Sequence, residues 1–173
     1  MLTALGLLIL RVVIGLTLAA HGAQKVFGWW GGSGMSGWIQ VVTRLRVRPA
    51  APWAWVAALS ELGGGLLLAL GLLSPLGNLA IAGAMLVAVA TVHWPNGFWN
   101  TKRGYEFNLT LLASVAALAL IGPGTYSLDQ AIGIHLPEPL TVIAGTIALI
   151  AGVGATLASR SPKVDPETKP QAT

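Results

Sequence analysis

Apolar residues along this chain come in long unbroken runs. Five of them approach the ~20 residues that a helix needs to cross a bilayer. They run from about Leu5 to Phe27, Trp53 to Leu73, Leu76 to Trp94, Tyr105 to Ile121, and Leu140 to Ala158. The fourth is the shortest. Pro52, the Ser74-Pro75 pair and the Pro95-Asn96-Gly97 run punctuate the others. Continuous apolarity, without a two-residue alternation, excludes a transmembrane barrel. The pattern predicts an all-α integral membrane helical bundle. Four helices over about 5–133 form its core, and a fifth C-terminal transmembrane helix follows at about 140–158. Residues 1–159 read as one transmembrane domain, and no internal repeat is evident. Residues 160–173 are Pro-rich and polar with mixed charges, the composition of a disordered tail.

Trp38, Val41, Val42 and Leu45 recur at helical spacing, with Arg44 and Arg48 four apart on another face. This predicts an amphipathic helix lying in the membrane interface, as a lipid anchor or as a docking surface. The first twenty residues end in Leu18-Ala19-Ala20, which resembles a cleavage site. They lack a basic leading segment, however, and Arg11 interrupts the apolar run, so a retained first span is expected.

Charge then orients the bundle. Lys25, Arg44, Arg46 and Arg48 follow the first span, Lys102 and Arg103 the third, and Arg160, Lys163 and Lys169 the fifth. The opposite connections carry neither Lys nor Arg, only Asp129, His135 and Glu138. The positive-inside rule puts the N-terminus outside and the C-terminus in the cytoplasm.

Composition agrees with that class. Of 173 residues, 54% are hydrophobic and only 9% charged, and mean hydropathy is +0.72. Too few charges are present to cover a soluble domain, which carries about 25%. An ordinary cytosolic enzyme and a nucleic-acid binder are excluded, although the pI is near 10.0. The chain has no cysteine. It can therefore form no disulfide or thiolate metal site, and any redox role needs a bound cofactor or a partner.

Ionisable residues inside a bilayer are costly, so they mark where function is sought. They are Arg11, His21 and Lys25 on the first span, Glu61 on the second, His93 ending the third and Glu106 opening the fourth, with Gln24 and Asn108 beside them. Helical rise brings Arg11 and Glu61 toward each other near mid-membrane, and His21, Lys25, His93 and Glu106 toward the cytoplasmic side. Two readings are open. One is a set of satisfied ion pairs, Arg11 with Glu61 and Lys25 with Glu106. The other is a cytoplasm-facing pocket in which His21, Glu61, His93 and Glu106 relay protons or bind a quinone carbonyl. The spacing matches no metal motif, so no metal ligand is assigned. The seven tryptophans (Trp29, Trp30, Trp38, Trp53, Trp55, Trp94 and Trp99) all fall near cytoplasmic span ends, as an aromatic belt would. Trp94, Phe98 and Trp99 beside His93 are also candidates for lining a pocket for an aromatic ligand. Gly63-Gly64-Gly65 predicts close helix packing. So do the small residues Gly145, Ala148, Ala151, Gly152 and Ala155 of the last span.

Four segments in order resemble the DoxX family of bacterial membrane proteins. The first is Leu10-Arg11 with Ala20-His21-Gly22-Ala23-Gln24-Lys25-Val26-Phe27-Gly28-Trp29. The second is Glu61-Leu62-Gly63-Gly64-Gly65-Leu66 through Ser74-Pro75. The third is His93 with Asn96-Gly97-Phe98-Trp99 and Gly104-Tyr105-Glu106-Phe107-Asn108. The fourth is Gly122-Pro123-Gly124 with Tyr126-Ser127-Leu128-Asp129. Trp99 stands where the family usually has Phe, and the fifth span lies outside the shared four-helix core. The resemblance implies a small bundle in the bacterial inner membrane, linked to membrane redox chemistry and oxidative-stress assemblies. The expected role is a membrane subunit of a redox system, an accessory to a quinone-linked oxidoreductase. His21, Glu61, His93 and Glu106 would do its chemistry, and Arg11, Lys25, Trp94, Phe98, Trp99 and Asn108 would hold the quinone. Lipids and either redox proteins or a second copy are the expected partners. A non-catalytic scaffold recruiting soluble oxidative-stress enzymes, and a small-molecule or proton-coupled transporter, are the competing classes.

Overall fold

The computed structural model describes residues 1–134, 136–137 and 139–162. Its helices are α1 (Leu2–Phe27), α2 (Gly34–Arg44), α3 (Ala50–Leu70), α4 (Leu76–Ala88), α5 (Glu106–Ile121), α6 (Leu128–Ile132) and α7 (Leu140–Ala158). A π turn, Val89–His93, and a 3-10 turn, Trp94–Asn96, extend α4 as one rod to Asn96. No strand is found among the described residues; only a single bridge joins Val47 to Arg160. α1, α3, the α4 rod and α7 are long and apolar enough to cross a membrane, while α5, at 16 residues, is shorter. The chain is a multi-pass helical membrane bundle. The predicted helix positions hold, with α1 beginning three residues earlier and α3 ending at a left-handed Gly71, before Leu73.

Four helices share one core. Ile14 and Leu18 of α1, Leu68 of α3, Ile81 and Met85 of α4, and Leu111, Val115 and Leu118 of α5 form a single buried cluster. α7 packs on α4, outside this core. α2 departs from expectation. Its apolar face does not lie free in the interface but packs on the start of α3. Val42, Val47 and Ala54 are buried together there, with Trp38 and Leu45 against them. The start of the expected tail is held in place. Arg160 and Ser161 are held against the α2–α3 connection, where Ser161 N–H donates to the Arg46 carbonyl at 3.0 Å. The rest of that tail, 163–173, lies outside the described residues, as do His135 and Glu138.

The closest packing joins α1 to α3. A β-carbon added at Gly15 would sit 2.5 Å from backbone atoms of Gly65 and Ala69. One added at Gly65 would sit 2.5 Å from the Ala19 nitrogen, and one at Gly22 would overlap Leu62. The two antiparallel backbones thus touch without side chains between them, the arrangement that small residues permit in membranes. The three glycines of α3 have separate duties. Gly65 faces α1, and Gly64 faces α4, where an added β-carbon would lie 3.1 Å from the Gly77 carbonyl oxygen. Gly63 faces neither, with nothing within 4 Å.

Gly63→Ala should therefore raise the thermal midpoint in detergent, because a helix gains about 1 kcal/mol on such a change. Gly65→Ala should lower it, by overpacking worth about 1–3 kcal/mol. Tryptophan fluorescence melts of the two variants check the contrast. Equal effects would refute the assignment of Gly65 to the α1–α3 contact.

Candidate functional site

An apolar cleft of about 230 Å³ opens between α3 and α7, with α4 as its back wall. It exists because α7 packs on α4 and stands off from α3. Val56, Ala57, Ala84, Val87, Leu149 and Val153 are among its walls. The α2–α3 connection closes one end with Trp38, Leu45, Val47 and Trp53. The π turn adds Thr91 and Val92. Turns of that kind are rare and recur at functional sites.

Polar groups enter this cleft mainly at one place. Glu61, only 4% exposed, forms an ion pair with Lys25 through Oε2. The Lys25 ammonium lies 4.4 Å from the centre of the Trp38 ring. Trp38 is itself fixed, its Nε1–H donating to the Ala54 carbonyl at 3.0 Å. Lys25 is thus held between a carboxylate and an aromatic face, and it retains some exposure. Among the described residues Glu61 accepts no other side-chain or backbone hydrogen bond, so its carboxylate keeps free acceptor positions.

The expected pairing of Arg11 with Glu61 and Lys25 with Glu106 is corrected. The α1–α3 register sets Gly15 against Ala69 and Gly22 against Leu62. Carried one turn further each way, it puts Lys25 beside Glu61 and Arg11 beside Gly71. Arg11, 3% exposed, donates to the carbonyls of Pro123, at 3.1 Å, and Tyr126. Its guanidinium fills the space where a β-carbon on Gly71 would lie, and Gly71 has φ +63°; only glycine meets both demands. Asp129 completes this outer cluster. Its carboxylate accepts from Leu73 N–H at 2.8 Å and Ser74 N–H at 3.0 Å. Asp129 had been legible only as a loop acid; its burial follows from the free N–H groups beyond the end of α3.

The four proposed proton-handling residues do not share a cavity. His21 is exposed on α1, its ring 6.4 Å from that of Phe107. His93 Nδ1 donates to the Arg103 carbonyl at 2.8 Å; a carbonyl only accepts, so that nitrogen carries the proton. Glu106 accepts from Asn100 N–H at 2.9 Å. Asn108 is buried and donates to Met85 Sδ at 3.4 Å. Of the aromatic trio, Trp94 stacks on Tyr105 with centroids 5.4 Å apart, and Phe98 meets Trp99 and Tyr105 edge-on. All three are exposed and none lines the cleft. They and His93 knit a loop, 94–106, that closes on itself through Tyr105 N–H to Gly97 and Glu106 N–H to Phe98. Trp38 and Trp53, expected in the interfacial belt, are the tryptophans that line the cleft.

A family model described as DoxX matches residues 6–94, about half of the chain, and the chain belongs to that family. No curated protein and no solved structure matches it. The matched stretch runs from α1 through the π turn and so carries both Lys25 and Glu61. The segments around Glu106 and Asp129 lie beyond it.

Lys25→Met or Glu61→Gln alone should destabilise the bundle by about 3–5 kcal/mol, because each leaves a buried partner unmatched. The double variant Lys25→Met/Glu61→Met should recover most of that loss. A double-variant cycle of unfolding midpoints in mild detergent reads the coupling; purely additive losses would show that the two charges do not depend on each other.

Proposed function

We propose that this DoxX protein is a membrane subunit of a bacterial redox system, and that it binds a quinone or a similar apolar ring compound in the α3–α7 cleft. The observation that supports this most is the Lys25–Glu61 pair at the end of an otherwise apolar pocket. Apolar walls with a few convergent polar groups suit a ligand that is mostly ring and tail. The Lys25 ammonium would donate to a ring carbonyl oxygen, and Glu61 would accept from a ring hydroxyl. Trp38 and Trp53 offer flat faces for the ring, and the gap between α3 and α7 lets a tail leave sideways into lipid. The chain's part is to bind and orient the ring. The electrons belong to the bound ring and a partner protein, because a chain without cysteine has no thiol couple of its own.

This reading moves the chemistry from the two histidines to Lys25 and Glu61. His93 spends its proton on the Arg103 carbonyl, and His21 stands outside the cleft. The scaffold reading loses its strongest feature, since the apolar face of α2 is already occupied by α3. The same proposal includes the orientation. Arg44, Arg46, Arg48, Lys102, Arg103 and Arg160 would face the cytoplasm of the inner membrane, the N-terminus would lie outside, and α5 would cross as a short fifth span.

Protein extracted in native-lipid discs should carry quinone detectable by mass spectrometry. Glu61→Gln and Lys25→Met should lower that content by about tenfold each, the loss expected for one charge-assisted hydrogen bond. Ala57→Phe, which fills the cleft and leaves both charges in place, should lower it as well. His93→Ala should retain it. Quinone held by all four variants would refute the cleft as its site; quinone lost only in His93→Ala would restore the histidine pocket. Because the chain has no native cysteine, single cysteines at Thr3 and Ser161 give a clean orientation test. Only the first should react with an impermeant maleimide added to intact cells.

A further inference from the structure

A second site is suggested by the connection between α2 and α3. Residues Arg46, Val47 and Arg48 form a strap pinned from both sides. Val47 pairs with Arg160 in an isolated antiparallel bridge. Arg48 N–H donates to the Ser159 carbonyl at 3.2 Å, and Ser161 N–H donates to the Arg46 carbonyl at 3.0 Å. The Arg160 Nε–H donates to the Leu45 carbonyl at 3.2 Å. Val47 is buried between them. Two distant parts of the chain thus deliver Arg44, Arg46, Arg48 and Arg160 to one corner of the molecule.

Nothing described there neutralises this corner. The one ion pair among the described residues is Lys25–Glu61, which involves none of these arginines. Arg46 Nη1 is buried and has no acceptor among the described residues. Arg46 also holds φ +64°, a conformation that non-glycine residues rarely adopt without a compensating contact. Four clustered guanidiniums repel one another, and a buried unpaired guanidinium N–H costs free energy unless something accepts from it. The chemistry that satisfies both demands is an anion with several oxygens, for which the arginine fork is suited.

Position narrows the source. The strap joins the start of α3 to the end of α7, both apolar helices long enough to cross a bilayer. Its arginines therefore sit where a membrane helix gives way to water, at the depth of lipid phosphates. We propose that the Arg46–Arg48 strap with Arg160 is a headgroup site for one anionic phospholipid. The lipid phosphate accepts from the accessible part of the half-buried Arg46 guanidinium and shields the neighbouring guanidiniums, while its acyl chains run along the exposed side of α7. The lipid then fastens α7 to the α2–α3 connection and so sets the width of the α3–α7 gap. The site stands whether or not the cleft holds quinone.

The test uses the full chain in discs of phosphatidylcholine containing a minor fraction of phosphatidylglycerol, with lipids retained on the ejected protein counted by native mass spectrometry. Phosphatidylglycerol should be enriched on the unmodified protein above its share of the disc. Arg46→Gln and Arg160→Gln should each cut that retention by about tenfold, as expected for one lost charge-assisted contact. Lys102→Gln, which removes the same charge from the other basic loop, should change it by less than about twofold. Arg48→Gln, whose side chain is exposed and makes no hydrogen bond, should also lose lipid. It decides the matter should either of the first two variants melt early. No enrichment on the unmodified protein overturns the proposal. So does an equal loss in Lys102→Gln, which would show general attraction to anionic lipid without a site. Retention unchanged in all three arginine variants overturns it as well, and points to the acidic residues of 163–173 as the strap's counter-charge.

Discussion

One face of α1 governs the rest of the molecule. Arg11, Gly15, Leu18, Gly22 and Lys25 recur at alternating four- and three-residue steps and form a single seam. Its centre is small, so α1 and α3 touch backbone to backbone. Its two ends are cationic. Each end must find a counterpart, because an unpaired charge away from water is costly. The close contact leaves no freedom to choose: with Gly22 set against Leu62, Lys25 falls beside Glu61, and with Gly15 set against Ala69, Arg11 falls beside the end of α3. Packing at the small residues therefore decides the electrostatics at both ends. Everything near the Lys25 end of the seam (the Trp38 clamp, the α2 docking, the cleft) is arranged around that cation.

The other cation solves a backbone problem. The loop 122–127 turns back over the bundle at the level of Leu7 and Arg11, as the contact of Gly124 with Leu7 indicates. Irregular backbone at that depth is tolerated only when protein groups satisfy it. Arg11 supplies donors to the Pro123 and Tyr126 carbonyls, and Asp129 supplies acceptors to Leu73 and Ser74. Short α5 is the reason the loop lies so deep. With 16 residues it extends about 24 Å, shorter than the ~30 Å apolar core of a bilayer. The Arg11–Asp129 cluster thus satisfies the irregular backbone beyond the end of this short helix.

Much of this was legible in the sequence. Unbroken apolar runs and their Pro and Gly punctuation located the four helices long enough to cross a membrane and the shorter α5, because helix length against bilayer thickness is a strong constraint. The DoxX resemblance was legible partly for the same reason that the seam exists: among its residues, Arg11, Gly22, Lys25, Glu61, Leu62 and Gly65 belong to that contact and its ends. The pairings were not legible. Depth counted from assumed helix ends put Arg11 near Glu61, roughly 18 Å from where the register sets them. The true partners of Arg11 are backbone carbonyls, which have no signature in side-chain identity. Trp38 and Trp53 read as belt residues because sequence position near a span end does not reveal that α2 folds back onto the start of α3. The π turn, which brings Thr91 to the cleft, likewise follows from tertiary packing and leaves no local mark.

The cleft follows from a mismatch between α7 and the core. α1, α3, α4 and α5 close on one another through small residues and one shared apolar cluster. α7 contacts α4 through Leu79 and Gly145 but meets α3 with no comparable small pair. A gap of this kind, left in contact with lipid, would ordinarily fill with acyl chains and carry no polar group. Here it ends on a carboxylate that accepts only one ammonium among the described residues. A pair kept solely for stability would gain from further hydrogen bonds or from replacement by apolar residues of similar volume. Glu61 has neither among the described residues, and its incomplete coordination faces the apolar cleft between α3 and α7. The arrangement is the one expected where a further hydrogen-bonding partner arrives from the membrane rather than from the chain.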